Sequence, residues 1–382
     1  MSSFIPMKQV YCNVETGERS TDYASLLPDR LTLDKTFTAS RFKRRTERRT
    51  LFREVVTAPL GDLVTPALRG LFNLKRDRDF SGAVLVEMRA LLRDAVERSW
   101  RPDLFHVVMH SSGFDSRGIS WTIKELVEEK GEEWLGPGVL FLCSIREGAE
   151  FKKIMKHEGW DESRYAVVKD GVPMSEYYTD SLLGFGRAWQ RLGGASAIPV
   201  NLFWYPVEWA AREGLIPTAD VQMYTGQWGN TISDPGSAFG REAGLKKAMI
   251  LFYYSVLFQR PFNCVDLVHP YADFGMARLT GSLKARLSAG FNVRKAFVRS
   301  LDEKLMDGFV NMASNGDREV PIASWIAEKI MLDYDKSWYG RKVRPGARPR
   351  RWWTEFDPFW SYWSSASLCE HLLGAGCRIK VV

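Results

Sequence analysis

The sequence predicts an α/β fold: a doubly wound, mainly parallel sheet with a mainly helical part following it. Three observations predict it. Nearly unbroken apolar runs stand at Phe105–His110 and 139–145. Around them lie stretches whose apolar residues recur at helical spacing. After Gly240 helical patterns dominate. Strands without polar alternation, separated by amphipathic helices, are what a parallel sheet covered on both faces requires.

Residues 1–80 read as a partly irregular N-terminal region with a basic cluster of Arg41, Lys43, Arg44, Arg45, Arg48 and Arg49. The first strong helix spans 82–100, with Val84, Met88, Leu91, Leu92, Ala95 and Val96 on one face; Pro102 and Asp103 break the pattern. The strand Phe105–His110 leads into the small-residue stretch His110-Ser111-Ser112-Gly113-Phe114-Asp115-Ser116-Arg117. A helix over 118–130 then places Ile119, Ile123, Leu126 and Val127 on one side. Gly136-Pro137-Gly138 punctuates before the strand at 139–145. Further strands are expected at 165–168 and Val221–Thr225, with helices at 181–192 and 206–213 between them. Helical patterns follow at 241–258, 274–287, 293–306 and 322–333. These patterns divide the chain into an N-terminal region (1–80), a main domain (81–335, its sheet ending near 235) and a tail (336–382).

The tail carries an acid-free basic run, Arg341, Lys342, Arg344, Arg348, Arg350 and Arg351, then the aromatics Trp352, Trp353, Phe356, Phe359, Trp360, Tyr362 and Trp363. The formal net charge is +7. The basic clusters at 41–49 and 341–351 fit either solvated linkers or contacts to nucleic acid. The aromatics fit packing on the protein better than stacking on bases. Apolar residues make up 45% and charged residues 26%, as in a soluble globular protein. No apolar run approaches the roughly 20 residues that span a bilayer, so no membrane partner is expected. Residues 1–8 lack the apolar core of a signal peptide. The five cysteines form no C-x-x-C pair, which argues against a zinc site or a disulfide framework and fits a reducing cytoplasm.

The stretch 110–117 carries the chemistry. Small residues at a strand-to-helix turn leave backbone N–H groups facing an anion, with the positive end of the helix dipole behind them. Asp115 can hold a divalent cation beside phosphates. This reads as a nucleotide phosphate loop, though not of the G-x-x-x-x-G-K-[ST] kind. His110 reads as structural and Cys143 as a small buried residue.

On these residues the chain resembles the asparagine synthetase-like ATP-dependent amide ligases of the ATP-pyrophosphatase superfamily. Ser111, Gly113, Asp115 and Ser116 match the S-G-G-x-D-S loop of that family, with Ser112 in place of the first glycine. The helix Ala90 to Arg98 looks like the family's lead-in helix. Met223-Tyr-Thr-Gly226-Gln227-Trp228-Gly229-Asn230-Thr231 is similar to the second nucleotide motif, S-G-E-G-x-D-E. His269-Pro-Tyr-Ala-Asp273 is similar to P-F-L-D, although Asp273 fits equally well as a helix N-cap. Lys295-Ala-Phe-Val-Arg299 matches K-x-x-x-R. The resemblance covers roughly residues 82–310.

The resemblance implies a fold of the ATP-pyrophosphatase type and a ligase that binds ATP and Mg²⁺. Such an enzyme adenylates a small-molecule carboxylate, releases pyrophosphate and passes the acyl group to an amine. It implies that Ser111, Ser112, Gly113, Asp115, Ser116, Gly226, Gln227 and Gly229 hold the phosphates, with the Ser111 and Ser116 hydroxyls in the cradle. Backbone around Leu142 and Ser144 would hold adenine, Asp115 and Asn230 would ligate Mg²⁺, and Lys295 and Arg299 would serve the reacting centre. The glutaminase half of the family is expected to be missing, since Cys12 lies in unremarkable context. Departures are visible as well. Asn230 stands where the family places a second aspartate, Thr231 follows in place of glutamate, and no glutamate precedes Ala197-Ile-Pro199 at the distance where a catalytic acid is found. Two alternatives therefore stand beside the ligase: a nucleic-acid-modifying enzyme of the same loop class, and an inactive ATP-binding scaffold.

Overall fold

The structure, a computed structural model, describes residues 4, 10–34, 50–58, 66, 70–71, 74–75, 77–144, 147–172, 204–226, 229, 263–284, 292–310, 324–349 and 358–382. Its strands are β1 (Tyr11–Asn13), β2 (Arg19–Ser20), β3 (Arg30–Leu33), β4 (Val55–Thr57), β5 (Phe105–His110), β6 (Val139–Cys143), β7 (Tyr165–Val167), β8 (Val221–Thr225), β9 (Cys264–Val268) and β10 (Arg378–Val381). Its helices are α1 (Gly82–Ser99), α2 (Phe114–Lys130), α3 (Gly148–Glu158), α4 (Trp204–Arg212), α5 (Phe274–Ser282), α6 (Val293–Leu301), α7 (Glu303–Asp307), α8 (Ser324–Lys336), α9 (Trp338–Lys342) and α10 (Pro358–Gly374). The helices expected at 181–192 and 241–258, and the basic cluster at 41–49, lie outside the described residues.

The main sheet has five parallel strands in the order β7-β6-β5-β8-β9. Alternation along the strands feeds two cores. Val108 of β5 and Val139, Phe141 and Cys143 of β6 join the core beneath α1, α2, α3, α5 and α6. Val107, Met109, Leu140, Leu142, Val221 and Met223 face the opposite core, with Val207 and Ala210 of α4. Helices on both faces explain why β5, β6 and β8 are buried along nearly their whole length. Strand order reverses between β5 and β8, so their carboxyl ends frame the crevice where open α/β sheets take ligands.

The sheet does not end near residue 235. β9 adds an edge beyond β8, inside the part expected to be helical. Its strand face is only partly buried and contains Asp266, so no unbroken apolar run marks it. The expected helix at 293–306 is two helices, α6 and α7, because Asp302 leaves the helical conformation and caps the second by accepting from Leu305 N–H.

The chain ends form a second unit. Strands β2, β1 and β4 pair antiparallel, and β3 runs parallel to β10. Tyr11, Tyr23, Leu31, Leu33 and Phe52 share one core with Tyr334, Tyr339, Phe359, Leu368 and Leu372. Residues 1–80 and 336–382, separate in the sequence reading, are thus joined by a common core. The strands that join them are two to four residues long, too short to leave a period. Tyr362 and Trp363 lie against this core as packing residues. No described helix is long and apolar enough to cross a membrane.

Phe359 is fully buried and its ring lies 5.2 Å from that of Tyr334. Phe359→Ala is expected to destabilise the chain by about 3–5 kcal/mol, the usual cost of an emptied aromatic site. Urea unfolding checks this; a loss below about 1 kcal/mol would show that the two chain ends do not depend on a common core.

Candidate functional site

The turn after β5 is shorter than its sequence suggests. α2 begins at Phe114 rather than 118, so Asp115 and Ser116 belong to the first helical turn. The 114–117 segment has one apolar residue and no helical period, yet aspartate and serine suit a helix N-terminus. Ser116 Oγ–H donates to Ser111 O at 2.8 Å, and Gly113 N–H donates to Ser111 Oγ at 3.0 Å. These hydroxyls, expected to face phosphate, tie the turn to itself. Ser112 is fully buried, and both its N–H and its Oγ–H donate to the Glu147 carboxylate, the hydroxyl at 2.7 Å. That bond gives Ser112 a reason to stand where glycine was expected. Glu147, at the start of α3, carries no sequence signal for this contact.

The second motif reaches the turn from β8. At Gly226 an added Cβ would lie 2.8 Å from Ser116 N and 2.9 Å from the Asp115 carbonyl carbon. At Gly229 it would overlap the Asp115 carboxylate. Glycine at both positions is therefore what lets the backbone at 226 and at 229 close on the first turn of α2. The third motif also arrives. Tyr271, fully buried, donates its hydroxyl hydrogen to Asp115 O at 3.1 Å. Asp273 is the N-cap of α5, accepting from Gly275 N–H at 2.7 Å and Met276 N–H at 3.1 Å, and it pairs with Arg98 at 2.9 Å. It holds α5 in place against α1.

The fourth motif arrives in altered form. Asn292 caps α6 by accepting from Arg294 N–H at 3.0 Å and Lys295 N–H at 3.2 Å. Lys295 Nζ lies 5.8 Å above the Phe114 ring, beside the loop. Arg299 does not join it. Its guanidinium grips Asp307 through Nε at 2.9 Å and Nη2 at 2.7 Å on the exposed surface. The arginine at the loop is Arg294, with Nη1 3.1 Å from Asp115 Oδ2. Its signal was its place beside Lys295 in the first turn of a helix.

Leu142 is fully buried in the sheet's second core, between β5 and β7, and it is Ser144 that stands at the open end of β6. Gln227 and Asn230 lie outside the described residues. In the tail, Arg348 pairs with Asp335 at 2.9 Å and the Arg344 guanidinium lies 5.4 Å from the Tyr362 ring centre; Arg341 and Lys342 are exposed. Part of the basic run thus serves the protein's own packing.

Two helix N-termini meet here, because α6 packs on α2. Each contributes about half a positive charge. Arg294 and Lys295 add two cations in the first turn of α6, where the dipole disfavours cations by roughly 0.3–1 kcal/mol each. Asp115 is the acid in the first turn of α2, and α6 has none. Even with the Glu147 carboxylate at Ser112 counted beside Asp115, the excess is positive, which suits a polyanion. A divalent cation suits the same carboxylate poorly. A doubly charged ion about 4 Å from a guanidinium is repelled by about 8 kcal/mol at an effective dielectric of 20. Gly229 crowds the carboxylate as well. Among the described residues no group of three His, Cys, Asp or Glu side chains could hold a metal. Asp115 in this arrangement therefore does not fit the Mg²⁺ that the resemblance implied.

Behind the loop lies a buried polar network. Arg117 is fully buried, donating from Nη1 to Leu305 O at 2.7 Å and from Nη2 to Ser112 O at 2.6 Å and Val310 O at 3.1 Å. Burial lowers its pKa to about 10, so it stays charged. Ser120 Oγ–H donates to Glu158 at 2.7 Å, and Trp160 Nε1–H donates to the same carboxyl at 2.9 Å. Burial pushes the Glu158 carboxyl up to about 8, against the pull of those bonds and of Lys124 and Arg117. His110, 3.1 Å from Ser120 Oγ, is pushed down to about 3 by burial and then by Arg117, and is neutral at physiological pH. It is structural, as its sequence context suggested. Burial likewise drives the Cys143 thiol well above its ordinary range.

No family model and no curated protein matches this chain.

Gly229→Ala is expected to push residue 229 off Asp115 and lower the melting temperature by about 1–3 °C, the shift roughly 1–2 kcal/mol produces in a chain of this size. A calorimetric melt unchanged from wild type would show that the two motifs do not meet. Glu158 gives a pH test. Its folded pKa lies above the ordinary 4.5, so its stabilising contribution is full below 4.5 and is lost as pH rises through about 8. Glu158→Gln is expected to flatten the fall in stability between pH 5 and pH 8, read by urea unfolding at both. His110 acts in the opposite sense, below its ordinary 6.5, and is common to both proteins.

Proposed function

We propose that this chain is an ATP-dependent, AMP-forming amide ligase on an ATP-pyrophosphatase-type fold. A carboxylate is a poor acyl donor because its leaving group is oxide. Attack of a substrate carboxylate oxygen on the α-phosphorus of ATP breaks the bond to the bridging oxygen, forms an acyl-adenylate and expels pyrophosphate. An amine then adds to the acyl carbon, AMP leaves, and the nitrogen gives up a proton. The protein must bind the departing pyrophosphate and offset charge on the oxyanion of the tetrahedral intermediate.

The first-turn amides of α2 are suited to pyrophosphate, since Gly113 provides no side chain to cap them. Lys295, exposed beside Phe114, is suited to the α-phosphate and the developing oxyanion. Ser144 marks the open end of β6, where a nucleoside would lie along the sheet edge of the crevice. One observation carries the reading: Gly226, Gly229, Tyr271, Arg294 and Lys295 gather around the first turn of α2 at the strand-order reversal, on the positive ends of two helices. A core-packing role alone does not call for this excess of positive charge.

Pyrophosphate release from ATP, measured by a coupled phosphate assay over a panel of carboxylates, tests the proposal. Release that depends on one class of carboxylate is expected, and Lys295→Ala is expected to lower it by about 10²–10³-fold, the cost of a lost electrostatic partner to the transferring α-phosphate. Release unaffected by the combined Asp115→Ala and Lys295→Ala changes would sink the assignment. Stimulation by DNA or RNA, with none by carboxylates, would replace it with a nucleic-acid-modifying activity.

A further inference from the structure

We infer that the Arg294 guanidinium takes the place of a metal ion at Asp115, so that the site binds the polyphosphate of a nucleotide without a divalent cation. The inference rests on the nucleotide reading above and adds how the phosphate charge is met. An ATP-binding loop of this shape presents one carboxylate beside a cluster of negative phosphates. Something positive must stand between them. Here that position is filled by a side chain: Arg294 Nη1 lies 3.1 Å from Asp115 Oδ2, with both groups about four-fifths buried.

The placement is built rather than incidental. Asn292 fixes the start of α6 by accepting from the N–H groups of both Arg294 and Lys295, so the two cations leave the helix in its first turn. Phe297 and Val298 of the same helix are buried in the main core, which sets the helix's rotation against α2. Arg294 Nε is buried and makes no hydrogen bond among the described residues, so Asp115 and packing hold the guanidinium in position. Nη1 makes the single hydrogen bond of this side chain among the described residues. The planar guanidinium keeps further donors and can receive phosphate oxygens in its fork geometry. Gly229 closes on the Asp115 carboxylate from the other side, narrowing the room for a hydrated cation. Lys295 adds a further positive charge within reach of the same phosphates.

Isothermal titration with ATP and with inorganic pyrophosphate, each in EDTA and in excess Mg²⁺, tests the inference. Wild-type affinity is expected to be the same within about threefold in the two buffers. Arg294→Met is expected to lose at least about tenfold in EDTA, the value of one charged hydrogen bond. Arg294→Lys keeps the charge and is expected to retain most of the metal-free binding, which separates lost charge from a damaged fold. Manganese titration followed by electron paramagnetic resonance is expected to show no uptake at Asp115 in wild type. Binding of ATP that requires Mg²⁺ in wild type, or manganese uptake that Asp115→Asn abolishes, would overturn the inference and leave the nucleotide reading standing. No binding of ATP or pyrophosphate in either buffer would overturn both.

Discussion

One buried guanidinium organises the site. Arg117 leaves α2 just behind the phosphate-type turn, and its donors end on the carbonyls of Ser112, Leu305 and Val310. A buried charge is tolerated only where several polar groups meet it. That requirement ties the turn after β5 to α7 and the residues just after it, although they are far apart in sequence. The register of α6 against α2, and with it the position of Arg294 and Lys295, depends on this anchor. Removing one partner from such a network typically costs about 3–5 kcal/mol. Glu147 completes the anchor from the other side by taking both donors of Ser112.

The same logic separates two kinds of charge around the loop. Arg117 and Glu158 are enclosed and serve shape: one remains charged because carbonyls surround it, and the other is driven toward its neutral form by burial. Arg294 and Lys295 stand at the front, at a helix end where cations are electrostatically disfavoured. Packing does not require cations there, and the nucleotide proposed for the site would supply the negative charge that offsets that cost.

Much of the fold was legible in the sequence. Strands β5 and β6 fall on their apolar runs, β8 falls where a strand was expected, and α1 follows the period set by Val84, Met88 and Leu92. The elements that escaped share a physical cause. β9 is a half-buried edge, and β1 to β4 are too short to show a period. The α10 helix is rich in aromatics on more than one side, which hides a helical stripe. At the site, Gly226, Gly229 and Lys295 could be placed because their residue types are demanded by close approach or charge. Arg294, Glu147 and Arg117 act through contacts between distant segments, which no local pattern encodes. The pairing of Arg299 with Asp307 is of the same kind, since spacing along a helix does not reveal that Asp307 lies within its reach.

The parallel pairing of β3 with β10 has a consequence for how the chain is made. Residues 30–33 meet residues 378–381, so a strand near the start must wait for one near the end. The intervening α/β part can assemble as it is synthesised, because its strand pairs are closer in sequence. Strands β1, β2 and β4 pair among themselves, whereas β3 can pair with β10 only after residues 378–381 have been made, and that closure carries a long-range entropy cost. Pairing residues 30–33 with residues 378–381 is therefore the contact of greatest sequence separation among the described strand pairs, and the one whose closure should respond most to the length of chain between.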